Sequence, residues 1–114
     1  MLKIFISQPM NGLSMEDIKK TREKIIEQIK KRISKDKFEV IDSIKTNEEY
    51  INGNAKHEKL WYLGESIKCM AEADIVLMAN HWEESIGCVI EMMIANKYKM
   101  PVLENIGEVV KYVK

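Results

Sequence analysis

Apolar and polar residues follow one another along this chain in two rhythms, and the switches between them mark out its elements. Leu2–Ser7 (LKIFIS) is a short β-prone run, and Phe38–Ile41, Ile75–Met78 and Met100–Leu103 are three more. Brief apolar runs bounded by polar residues suit strands covered on both faces. Elsewhere the period is that of a helix. Ile18, Ile25, Ile29 and Ile33 form an apolar stripe that predicts a helix from Ser14 to about Lys35. Lys19, Lys20, Glu23, Lys24, Glu27, Lys30 and Lys31 lie on its wet face. Ser14 followed by Asp17 resembles a capping box. Leu60, Leu63, Ile67 and either Met70 or Ala71 predict the inward side of a second helix, over about 57–72. Ile86, Val89, Ile90, Met93 and Ile94 predict a third from Ser85, and Val109, Val110 and Val113 a last one over 105–113. From Ile44 to about Lys56 no period is clean. That stretch predicts a long loop, with a helical turn near Glu48–Ile51 and a turn at Asn52-Gly53-Asn54. Trp61 and Tyr62 suit cover for this loop or a subunit interface better than ligand stacking.

Strand and helix alternate throughout. This predicts an α/β fold: a small doubly wound (flavodoxin-like, Rossmann-like) parallel sheet of about four strands, in order 2-1-3-4, with helices on both faces. At 114 residues the chain forms a single domain over 1–114. In such folds ligands bind beyond the carboxyl ends of the strands, where the strand order reverses. That edge gathers the loop of Ser7, Gln8, Asn11 and Gly12, then Asp42 and Ser43, then the Asn80–His81–Trp82 loop that leads into the third helix.

Composition narrows the partners. The 18 basic and 18 acidic residues cancel, so neither nucleic acid nor a membrane surface is a favoured partner. No apolar run is long enough to span a bilayer. Cys69, Cys88, His57 and His81 show no metal-ligand spacing, and no cofactor motif is present. Without a leader or a disulfide framework, a reduced, cytoplasmic setting is expected.

One charge sits oddly. Glu91 lies among Cys88, Val89, Ile90, Met92, Met93 and Ile94, with Gly87 one turn earlier on the same face. Helical side chains lean toward the N-terminus. Glu91 therefore leans over a residue without a side chain, which leaves room for a small molecule against a desolvated carboxylate. The plainer alternative puts Glu91 on a solvent stripe. Ser85 has two readings as well: an N-cap, and a hydroxyl that meets a phosphate at a helix N-terminus.

KIFISQPMNG, WYLGESI and ADIVLMANHWEESIGCVIEMMIA resemble the nucleoside 2-deoxyribosyltransferase superfamily, in particular a small phage- and bacteria-associated branch of uncharacterised function, and the likeness covers nearly the whole chain. In that superfamily a glutamate on this helix attacks or stabilises the anomeric carbon of a (deoxy)ribosyl group, and Glu91 stands at its position. Members that act on free nucleosides carry an acid six residues before the glutamate; nucleoside 5′-monophosphate N-glycosidases carry a serine, and here the residue is Ser85. The resemblance implies a nucleotide or nucleoside as partner, no cofactor, and a homo-oligomer. It also exposes departures. The family's aspartate ahead of the third strand falls on Ser66, beside Glu65; its first-strand tyrosine falls on Phe5, and the glycine after that strand on Gln8. Gln8, Glu65, His57 and His81 are the available substitutes for a general acid. Three functions follow: N-glycosidic bond hydrolysis or (deoxy)ribosyl transfer on a (deoxy)nucleoside 5′-monophosphate with Glu91 as nucleophile; a nucleotide-binding module with reduced catalysis; or an accessory interaction protein.

Overall fold

The computed structural model describes residues 1–45, 49–50 and 53–113. The order is β1 (Leu2–Ser7), α1 (Met15–Lys30), β2 (Phe38–Val40), α2 (Glu58–Met70), β3 (Ile75–Met78), a 3-10 turn (Trp82–Glu84), α3 (Ile86–Lys97), β4 (Val102–Leu103) and α4 (Ile106–Val113). The four strands are parallel and lie in the order β2-β1-β3-β4, as the alternation of elements predicts. β1 is central: Ile4 pairs with Val40 on one side and with Ile75 on the other.

Side chains along a strand point alternately to its two faces, and two cores result. Ile4 and Ile6 of β1, with Ile75 and Leu77 of β3, pack against Ile29 and Ile33 from α1 and its exit and against Val109 and Val110 of α4. Phe5, Val76 and Met78 turn to the other face and meet Met70 of α2 and Cys88 and Ala95 of α3. All four residues of β3 are buried, so the strand is covered on both sides. Each large side chain so buried contributes about 1.5–3 kcal/mol.

Two boundaries and the buried face of one helix differ from the sequence pattern. α1 stops at Lys30 rather than near Lys35, with Lys31 as its C-cap. The Ser34 hydroxyl bonds Asp36, and Lys37 N–H donates to the Ser34 carbonyl, so a turn replaces the continuing helix. Ile33 stays buried all the same. β4 starts at Val102 rather than Met100, because Pro101 has no N–H to give a ladder. In α2, Leu60 is 64% exposed and Ala71 is exposed, whereas Met70 points inward. Glu49 and Tyr50 are helical, as the expected turn of helix requires, and Asn54 lies in a turn; Glu48, Ile51 and Asn52 fall outside the described residues. Beside them, Tyr50 stacks on Tyr62 and meets Trp61 edge-on, with ring centroids 5.9 and 5.7 Å away, so this aromatic pair covers the loop. No helix among the described residues is long and apolar enough to cross a membrane.

Candidate functional site

Where the carboxyl ends of β1 and β3 meet, a small polar cluster interrupts the apolar packing. β1 ends in Ser7, which shares the face of Phe5. Its hydroxyl donates to Glu91 Oε1 at 2.6 Å, across 84 residues of sequence. Glu91 is 6% exposed, on the side of α3 that carries Cys88 and Ala95, and so lies off the solvent stripe. Ser66, half-buried on α2, lies near enough for its hydroxyl to favour the charged form of Glu91. Burial pushes the Glu91 carboxyl above the ordinary range; the Ser7 and Ser66 hydroxyls, and then the positive charge of Arg22, pull it back. Cys88 completes the cluster. Burial raises its thiol, against the pull of hydrogen bonds with Ser7 and Ser85, so it stays a neutral neighbour.

α3 begins beside this cluster. Ser85 is its N-cap, and its hydroxyl accepts from the Cys88 N–H at 3.4 Å. A Cβ on Gly87 would meet only Ser85 Oγ, at 4.0 Å. The space over the first turn is therefore open, next to a hydroxyl and to N–H groups that no helical carbonyl satisfies.

The other candidate residues divide. Gln8 is buried on the opposite face: its Nε2 donates to the Ile18 carbonyl at 3.0 Å and its Oε1 accepts from Arg22. Asn11 and Gly12 form an exposed turn, where a φ of +80° at Gly12 calls for glycine. Asp42 is exposed at the end of β2 and accepts from the Ile44 N–H at 3.3 Å. Glu65 pairs with Lys68 at 3.6 Å. Asn80 is exposed, and His81 has a φ of +67° and reaches Glu84 at 3.3 Å. Trp82 packs on the α3 side of the core and donates through Nε1 to Glu104 at 3.2 Å. His57 precedes α2 without a capping bond. Ser7, Ser66, Ser85 and Gly87 thus gather around or beside Glu91, while Gln8, Asn11, Gly12, Glu65, His81 and Trp82 face elsewhere. Two clefts of about 540 and 450 Å³ open at the same sheet edge, over Pro9, Ala79, Asn80 and Glu104, and Glu91 lines neither.

Arg22 and Cys88 belong to this region without having been singled out in the sequence. Arg22 is buried, donating to Gln8 Oε1, the Ile41 and Ile6 carbonyls and Ser43 Oγ. A signal for it existed: Ile18, Arg22, Ile25 and Ile29 share one helical stripe, and Arg22 is its only charge. Cys88 gave no such signal, since a buried cysteine reads as a small apolar residue.

Residues 2–104 match the family model described as Domain of unknown function (DUF4406), and the chain belongs to that family. No curated protein and no solved structure matches it.

Proposed function

We propose that the protein cleaves the N-glycosidic bond of a (deoxy)nucleoside 5′-monophosphate, as a hydrolase or a (deoxy)ribosyl transferase, with Glu91 as nucleophile. The observation that carries this reading is the buried Glu91 carboxylate, bound by Ser7 at 2.6 Å at the β1–β3 switch point. The Ser7 hydroxyl aims it, and the Ser7 and Ser66 hydroxyls oppose its protonation. A carboxylate so placed attacks the anomeric carbon as the carbon–nitrogen bond breaks. The bonding pair leaves with the base, which takes up a proton, and water or a second base then resolves the glycosyl ester. Ser85 and the open first turn of α3 suit the 5′-phosphate. The resemblance to the nucleoside 2-deoxyribosyltransferase superfamily agrees. Where that family has a first-strand tyrosine at the position of Phe5, the hydroxyl here comes from Ser7, two residues on and on the same face.

A nucleotide-binding module is the second reading. It is favoured by the surroundings of Glu91: among the described residues they are the Ser7 and Ser66 hydroxyls and the Cys88 thiol, with no carboxylic acid to protonate a leaving base. Chromatography of ribo- and deoxyribonucleoside 5′-monophosphates and of the matching nucleosides, incubated with the protein, separates the readings. Free base from the monophosphates, reduced on the order of 10³-fold or more by Glu91→Gln, is the expected result. Tight binding without base release would select the second reading.

We also propose that two copies pair through α3. Its outer face holds Ile86, 80% exposed, and Met93, 58% exposed, and its only charges are the buried Glu91 and the terminal Lys97. A helix apolar all round wants cover. Antiparallel packing about a two-fold near Ile90 sets Ile86 of one copy against Met93 of the other. It also brings Lys97 of each to the Glu83 and Glu84 of its mate, so charge and shape agree.

A further inference from the structure

The larger of the two clefts takes no part in the chemistry proposed for Glu91. It encloses about 540 Å³, within the range of about 300–1,000 Å³ common for small-molecule sites. Its place follows from the topology. α1 packs on one face of the sheet and α3 on the other, so the loops that follow β1 and β3 part at the carboxyl edge. Pro9 and Leu13 line one side of the gap, and Ala79 and Asn80 another. Leu77 forms the floor, on the face of α1 and α4 and away from Glu91.

The lining decides what can fill the gap. Leu13 and Ile25 on the α1 side, Leu77 beneath and Ile106 at the start of α4 offer apolar surface to the faces of a flat ring. Thr21, Gln28 and Asn80 add a hydroxyl and two amides that make no side-chain hydrogen bond among the described residues. An amide presents donor and acceptor together, which matches the edge of a nitrogen heterocycle. Charge points to a neutral occupant. Lys24 in the lining is offset by Glu104, whose carboxylate accepts from Trp82 Nε1 at 3.2 Å. The start of α4 is no seat for an anion, because it is already capped: Glu108 N–H donates to Asn105 Oδ1 at 2.9 Å, and the Glu108 carboxylate accepts from the Asn105 amide and the Glu104 N–H. A phosphate placed here would meet two carboxylates and gain one exposed lysine.

We propose that this cleft is a second ligand site, separate from the Glu91 cluster, and that it takes a free nucleobase. The lining by itself selects a neutral, flat nitrogen heterocycle. The choice of a nucleobase rests on the proposed glycosidase activity, which releases one. The two sites meet at the end of β1: Ala79 lines the cleft, its N–H donates to the Ser7 carbonyl at 2.8 Å, and the Ser7 hydroxyl holds Glu91.

The test needs no turnover. Carbon-13 methyl NMR spectra of the full chain are recorded as adenine, hypoxanthine, cytosine, uracil and thymine are added in turn. At least one base is expected to shift the Leu13, Ile25 and Ile106 methyls together and to saturate. Thr21→Trp, which fills the cleft from an exposed position on α1, should abolish those shifts. Gln28→Ala combined with Asn80→Ala should weaken binding about tenfold. Both residues are exposed, so this pair decides the matter should the Trp variant not fold. Glu91→Gln should leave the shifts in place. Methyls indifferent to every base overturn the proposal, as do shifts that survive both cleft variants or vanish in Glu91→Gln. Shifts produced by nucleoside 5′-monophosphates and by no base overturn the assignment of a neutral ligand. Saturable base binding in the cleft without any base release from nucleotides would sink the glycosidase reading and leave the site standing; base release with an indifferent cleft would do the reverse.

Discussion

A carboxylate placed where its protonated form is favoured leaves a mark on stability. Burial is the larger influence on Glu91 and raises its pKa in the folded protein. The folded state then holds the proton more tightly than the unfolded chain, so the stability this group contributes is full below the ordinary glutamate range and is lost as pH rises through the folded value. Glu91→Gln is therefore expected to melt higher than the native protein at pH 8 and to show a flatter dependence of Tm on pH; differential scanning calorimetry across pH 4–9 checks this. For activity the sign is opposite, because attack needs the ionised form, so base release should rise with pH through that same titration. Ser85 separates its two roles by substitution. Ser85→Ala should cost about 1 kcal/mol of stability through the lost cap. Ser85→Asp should keep the cap and nearly all of the stability, yet repel a phosphate and raise KM for monophosphates at least about tenfold relative to nucleosides.

At the scale of elements, the sequence reads well wherever burial forces a pattern and poorly where local chemistry decides. β1 from Ile4 onward and all of β3 are buried on both faces, and the apolar runs Ile4–Ile6 and Ile75–Met78 say so. The alternation of strands and helices leaves few topologies, so the sheet order follows. α2 shows the weakness. Leu60 has the right spacing to be inward, but the helix turns another side to the sheet and leaves Leu60 in water. Met70→Ala should consequently cost about 2–5 kcal/mol, whereas Leu60→Lys should change the unfolding free energy by no more than about 0.5 kcal/mol; urea unfolding of both variants tests that orientation. Glu91 was legible as an oddity because an acid breaks an apolar helix. Ser7 was legible as a residue of the same sheet edge, but its bond to Glu91 was not, since the two meet only after the sheet pairs β1 with β3. Arg22 went unread for a simpler reason: cations near the start of a lysine-rich helix look like wet-face residues, and only its place on the isoleucine stripe says otherwise.

For the molecule as a whole, net charge is zero and the apolar surface is uneven. Self-association should therefore depend on the α3 face more than on ionic strength. Light scattering is expected to give a dimer for the native protein and a monomer for Ile86→Glu with Met93→Glu, with the helical signal unchanged. A native monomer at high concentration would remove the pairing proposal.

The central position of β1 also bears on the time order of folding. Leu2–Ser7 leaves the ribosome well before its partner β3, which begins at Ile75, and before the acid it steadies at Glu91. During synthesis the first strand must wait, its backbone unpaired on the β3 side, until most of the chain has emerged. Such distant closure slows folding and leaves a sticky apolar segment uncovered. In the nascent chain β1 is a natural candidate for a chaperone's grip, and the Ser7–Glu91 bond is a late signature that the sheet has closed correctly.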